Sequence, residues 1–224
     1  MNTKPKLLIF DVNETLLDMS PLKQSINQAL NNDWAFDIWF PSLLQYSLVE
    51  TCIGTYHDFS KIAAATFRMT ASKFELNFTE EEIKEILSPI STLKPHTDVV
   101  KALSLLKENK MKMIALTNGK PKVAQRQLKY AGIDHFFDEV ISVEVVKKYK
   151  PHPDTYQYVL NKYSVNADRA MMIAAHGWDI AGAQQSGLQT AFIGRAGKFK
   201  YPLAEKPTLD GPDCLTIAKS LLSS

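Results

Sequence analysis

The stretch that decides the fold is Leu7-Leu8-Ile9-Phe10-Asp11-Val12-Asn13-Glu14-Thr15-Leu16-Leu17-Asp18. It begins as a continuous apolar run, the pattern of a strand buried on both faces. It ends in a carboxylate, Asp11, followed by polar residues that interrupt the run. In an open parallel sheet, ligands sit beyond the carboxyl ends of the strands, so Asp11 would stand at the mouth of a site. A strand that merely ends in a turn aspartate reads the same way, and the rest of the chain decides between the two.

Beyond Asp18, Ser20-Pro21 reads as an N-cap with proline at the first helical position. From there to about Ser88 the pattern is helical, with no period-two alternation. Pro41 is expected to start a new helix rather than sit inside one. Thr79-Glu80-Glu81-Glu82 is a capping box. The character changes at Leu93-Lys94-Pro95. Thr97-Asp98 can cap a helix over residues 99–108. Strands are predicted over 111–116, 140–143, 170–175 and 190–193, and helices over 154–163, 179–186 and 215–222, with a further helix opening at Pro121. This alternation predicts an α/β fold, a doubly wound parallel sheet. The helical block is then an inserted cap: residues 1–18 and 93–224 form the core and residues 19–92 the cap.

The 224 residues suit one domain with an insert, and 45% hydrophobic with 22% charged residues is ordinary for a globular protein. A formal net charge of +2 gives no electrostatic case for nucleic acid or a membrane surface, so a small-molecule partner is expected. Cys52 and Cys214 stand in no metal-ligand spacing and read as reduced thiols. No segment is long and apolar enough to span a bilayer, and residues 1–6 with the short run that follows do not read as a signal peptide. A cytoplasmic enzyme is the expectation.

The predicted strand ends carry the chemistry. The first offers Asp11, Asn13, Glu14 and Thr15; the next Thr117 and Asn118; a loop offers Lys150 beside Tyr149 and Pro151; and a later strand offers His176, Trp178 and Asp179. A nucleophile, a cation, hydroxyl and amide donors and a second acid on one sheet edge would make a covalent-catalysis site.

This ordered set resembles the haloacid dehalogenase superfamily over nearly the whole chain: Asp-x-x-x-Thr after the first strand, Ser or Thr at a later strand end, Lys before proline, and a final acid. The resemblance implies Asp11 as nucleophile, Thr15 and Thr117 as polar supports and Lys150 as counter-cation. Most members are magnesium phosphatases with Asp-x-Asp and an acidic pair ending the fourth strand. Here those positions hold Asn13, which cannot act as a general acid, and Ala175 with Asp179. Both changes argue against phosphoryl transfer, and neither a metal nor a cofactor is expected.

The L-2-haloacid dehalogenase branch is the nearer likeness. Thr117-Asn118-Gly119, then Tyr149-Lys150-Pro151 with Pro153 and Tyr156, then Trp178-Asp179 with Gly182-Ala183 are similar to its motifs. That resemblance implies metal-independent hydrolysis of short L-2-haloalkanoic acids to 2-hydroxy acids through an ester on Asp11. It implies substrate contacts from Asn13, Phe40, Leu44, Phe59, Thr117, Asn118, Tyr156 and Trp178. Tyr46 and Tyr56 read as cap core. It also implies a homodimer, for which the apolar cap helices offer either an interface or cap core.

Three departures stand out. Phe40 replaces an arginine thought to help accept the halide. Glu14 replaces the glycine of the first motif. Ala174-Ala175-His176 before Gly177 replaces Ser-Ser-Asn before Ala. The last two suggest that His176, oriented by Glu14 or Asp179, activates the hydrolytic water, with Asp179 as the rival base. Two other functions stay open at this point: a phosphatase or hydrolase of a small phosphorylated metabolite, and a non-catalytic small-acid binder.

Overall fold

The computed structural model describes residues 4–223; Met1, Asn2, Thr3 and Ser224, which belong to the expected core, lie outside the described residues. Six parallel strands form one sheet in the order β3-β2-β1-β4-β5-β6. They are β1 (Leu7–Phe10), β2 (Lys112–Thr117), β3 (Glu139–Ser142), β4 (Ala170–Ala174), β5 (Gln189–Ile193) and β6 (Leu209–Gly211). The apolar run of β1 has no exposed residue. It pairs with β2 on one side and β4 on the other, Phe10 lying opposite Ala115 and Ile173. The chain reverses its direction of winding between β1 and β4, which places the crevice at the carboxyl end of β1.

Between β1 and β2 come α1 (Ser20–Ala29), α2 (Ala35–Ile53), α3 (Phe59–Lys73) and α4 (Glu80–Leu87), which make the helical cap, and then α5 (Val99–Glu108) of the core. The remaining helices are α6 (Pro121–Tyr130), α7 (Pro153–Tyr163), α8 (Gly177–Gln185) and α9 (Cys214–Ser223). The Thr79–Glu82 capping box forms as read.

Four local expectations are corrected. Pro41 lies inside α2 and starts no new helix. Phe36, Trp39, Phe40 and Leu43 on either side of it are buried, with Phe36 and Phe40 stacked at 5.5 Å, and this packing outweighs one missing N–H. The cap of α1 sits earlier than Ser20: the Asp18 carboxylate accepts from Ser20 N and Oγ at 2.9 and 2.6 Å. Asp98 precedes α5 without capping it, because its carboxylate is taken by Arg195. Tyr46 is not cap core but 38% exposed. Tyr56 is half-buried and stacks on Tyr149 at 5.5 Å. The three-residue β6, ending in glycine, is too short to show a pattern.

Candidate active site

The residues following β1 turn sharply, with Glu14 in the left-handed region at φ 61°. The Asp11 carboxylate is 6% exposed. Its Oδ2 accepts from Thr15 Oγ1 at 2.6 Å, and Thr15 Oγ1 in turn accepts from Ala175 N at 2.9 Å. Its Oδ1 accepts from Lys150 Nζ at 2.9 Å. Lys150 is buried and also donates to Asp179 Oδ2 at 2.6 Å and to the Leu116 carbonyl at 3.0 Å. Its ammonium therefore occupies the point where the two carboxylates converge. Among the described residues, no group of three or more His, Cys, Asp or Glu is arranged to hold a metal ion.

His176 stands between two carboxylates. Its Nδ1 lies 3.0 Å from Asp11 Oδ2 and its Nε2 lies 2.7 Å from Glu14 Oε2. The other oxygen of Glu14 pairs with Lys198 Nζ at 2.6 Å. Lys198, Glu14, His176, Asp11, Lys150 and Asp179 thus form a chain of alternating charge from the protein surface to its interior. The burial of its inner members weakens screening by water.

Titration follows from these contacts. Burial alone would raise the Asp11 carboxyl, but Lys150, His176 and Thr15 outweigh it and hold the group well below the usual carboxylate range. Burial opposes ionisation of Glu14 too, yet bonding and charge from His176 and Lys198 bring it below its ordinary value. Burial would lower His176, but the hydrogen bonds and charges of Asp11 and Glu14 push it up to about 9. The resting imidazole is therefore a cation that donates from both nitrogens. Burial would lower Lys150 as well, and Asp11 and Asp179 raise it instead. Asp179 is raised by burial against the pull of Lys150, with Asp11 adding repulsion.

The structure thus brings Asp11, Glu14, Thr15, Lys150, His176 and Asp179 together, and His176 meets Glu14 rather than Asp179. Trp178 stacks on His176 with ring centres 5.0 Å apart, and Phe40 reaches down from the cap to 6.4 Å. Asn118 Oδ1 accepts from Lys150 N at 2.9 Å, which orients its amide at the site. Two cavities flank the cluster. One, of about 90 Å³ and mostly apolar, is lined by Asn13, Met19, Trp39, Phe40, Leu43 and Phe59 among others. The second, about 450 Å³ and polar, opens on the far side of Glu14 and Lys198.

Three further residues expected against substrate take the following places in the fold. Leu44 lines neither cavity, and Leu43, one residue earlier on α2, takes that position. Tyr156 is buried behind Asp179, donating to its Oδ1 at 2.5 Å, so it positions an acid. Thr117 accepts from Gly119 N at 3.0 Å and shapes the turn after β2. Two participants escaped the sequence reading. Gln127 on α6 donates to Asn13 Oδ1 at 3.0 Å and to the Ile90 carbonyl at 2.8 Å. Lys198 follows β5, and the polar run after that strand end was its available signal.

Comparison with known proteins finds likenesses in sequence and in fold. The sequence model of the haloacid dehalogenase-like hydrolase family matches residues 5–187. An (S)-2-haloacid dehalogenase of Xanthobacter autotrophicus is 27% identical over 85% of this chain and 75% of its own. (S)-2-haloacid dehalogenase H-109 of Pseudomonas putida is 25% identical over 92% of this chain and 93% of its own. The solved structure of L-2-haloacid dehalogenase from Xanthobacter autotrophicus with chloropropionic acid covalently bound superposes with a TM-score of 0.90. At 23% identity it covers 97% of this chain and 98% of that one, and it shows the same fold.

Proposed function

Because this chain belongs to the haloacid dehalogenase-like hydrolase family, we propose that it hydrolyses short L-2-haloalkanoic acids to 2-hydroxy acids through an ester on Asp11. The observation that carries this reading is the pairing of an ionised, buried Asp11 with the Lys150 ammonium, while Asn13 stands where a phosphatase needs an acid. Asn13 Oδ1 accepts from Gln127 and Ala175 has no side-chain oxygen, which supports a reaction without a metal. The core is taken as residues 1–18 and 93–224, and the cap as residues 19–92.

In the first half-reaction a carboxylate oxygen of Asp11 attacks the carbon bearing the halogen, and halide leaves with its bonding pair. The Asn118 amide NH2 and backbone N–H groups at the helix starts hold the substrate carboxylate, while Lys150, whose three protons go to Asp11, Asp179 and the Leu116 carbonyl, keeps Asp11 ionised. Phe40, Phe59 and the Trp178 ring edge bound the alkyl group and the departing halide. The small apolar cavity suits a short chain. In the second half-reaction water attacks the ester carbonyl, and the hydroxy acid departs from Asp11.

His176 is the base of that second step. Esterification removes the Asp11 charge, one of the two that hold the imidazolium. The proton facing the ester, on Nδ1, is then lost to solvent while Nε2–H stays bonded to Glu14. The freed Nδ1 takes a proton from the attacking water and passes it to the departing alkoxide oxygen of the hydroxy acid. The restored Asp11 carboxylate then draws a proton from solvent back onto Nδ1. The first half-reaction thus creates the base for the second.

The reading extends to a homodimer through the exposed apolar side chains Tyr46, Val49 and Ile53 of α2, and to a cytoplasmic setting consistent with two unpaired cysteines. Halide release from L-2-chloropropionate and bromoacetate in the presence of EDTA tests the activity. Single turnover in heavy-oxygen water should place the label in Asp11. Label found only in the product would exclude the ester.

A further inference from the structure

The connection from β5 to β6, residues 194–208, reaches back to the turn after β1 with two cations. Arg195 donates to the Thr15 carbonyl at 3.2 and 3.0 Å and pairs with Asp98 at 2.7 Å. Lys198 pairs with Glu14, as described above. The same connection crosses the start of α8. A Cβ on Gly177, the neighbour of His176, would meet the Phe199 carbonyl at 2.6 Å and Tyr201 N at 2.7 Å. One segment therefore packs against the residue after His176 and also grips the carboxylate that orients it. The Lys198 side chain is 23% exposed, and its Nζ stands 5.9 Å from the Phe40 ring of the cap.

We propose that Lys198 is a positioning residue for ester hydrolysis: it holds the Glu14 carboxylate against His176 and offsets its charge, so that His176 gives up its proton once Asp11 is esterified. The inference rests on the reading of His176 as base. A bare carboxylate 2.7 Å from the ring would keep the imidazolium charged. A carboxylate already paired at its second oxygen pulls less. The other groups facing this pair leave the task to Lys198. Asp11 comes from β1 and Asp179 from the same helix as Trp178, both joined to Lys150. Arg195 is paired with Asp98. His96 meets the Glu14 carbonyl at 3.1 Å, and burial together with Arg195 pushes it below its ordinary value, leaving it neutral. From the cap come Phe40 and the Lys23–Asp37 pair, closed on itself at 2.6 Å.

The test separates the two half-reactions in Lys198→Met and Lys198→Arg, with Lys198→Gln as a second neutral variant. The halide burst from L-2-chloropropionate reports ester formation, and decay of the Asp11 adduct by mass reports hydrolysis. Both neutral variants should keep the burst rate within about twofold. Their hydrolysis midpoint should move up by about one pH unit, which makes hydrolysis about tenfold slower at any pH below the midpoints. Lys198→Arg should restore the midpoint. A lower Tm with an unmoved midpoint would mean that Lys198 only packs, and would overturn the inference. His176→Asn keeps the two readings apart. If it accumulates no ester, the assignment of the base fails; if it does and the Lys198 midpoint stays put, the inference about Lys198 alone fails.

Discussion

His176 carries a different charge in each half of the proposed cycle, and two measurements follow from this. Replacing it with asparagine should leave the halide burst and slow hydrolysis by about 10²–10⁴-fold, with the Asp11 ester accumulating. An ester that decays as fast as in the wild type would return the role to Asp179. The second measurement is stability against pH. The folded-state value of about 9 lies above the ordinary 6.5, so the stabilisation is full below 6.5 and is lost as pH rises through 9. The amount at stake is ~3 kcal/mol. Thermal melts of the wild type should decline from about pH 7 to about pH 10, and His176→Asn should flatten that decline. Tyr156→Phe removes the 2.5 Å bond to Asp179 and should cost ~1–2 kcal/mol of stability, with unchanged KM because Tyr156 sits behind the acid rather than against substrate.

At the scale of elements, α8 is pinned to the loop that carries Lys150. A Cβ on Gly182 would come within 2.3 Å of Pro151 Cβ and 2.9 Å of the Tyr156 hydroxyl. Gly182→Ala must push that loop away, and the expected result is a loss of ~1–3 kcal/mol together with at least tenfold lower turnover, measured by melting and halide release. What was legible in the sequence belongs to this scale. The apolar run of β1 and the polar ends of β2 and β4 announced a sheet edge, because a buried strand must change character where it reaches a site. Asp11 and Thr15 could be found for that reason, whereas Lys150, in a loop, was marked by the Tyr149-Lys150-Pro151 motif. Gln127 was not legible, since a lone polar residue on an amphipathic helix reads as surface until the cap carbonyl of Ile90 is placed above it. Asp98 looked like a cap because the competing Arg195 is distant in sequence. Pro41 looked like a boundary because the ring stacking that carries α2 past it is a tertiary effect.

Across the whole molecule the cap and core are joined by specific contacts. Asp58, the N-cap of α3, accepts from Ser60 N and Lys61 N and pairs with Lys120 at the start of α6 at 3.1 Å. Asp58→Ala should lower stability by ~1 kcal/mol, read as a lower Tm. Tyr149 N donates to Thr51 Oγ1 of α2 at 3.0 Å, tying the Lys150 loop to the cap. Asp11, only 6% exposed, lies beneath these cap-to-core contacts. The cysteines supply a way to watch them. Cys214 is buried, and burial with the charge of Asp98 pushes its thiol up to about 12; Cys52 is exposed on α2, next to Thr51. In the single subunit Cys52 is therefore the one addressable thiol; one equivalent of a thiol-directed fluorophore would place an optical reporter one residue from a cap-to-core contact, and pairing of subunits through the neighbouring Ile53 would slow its attachment.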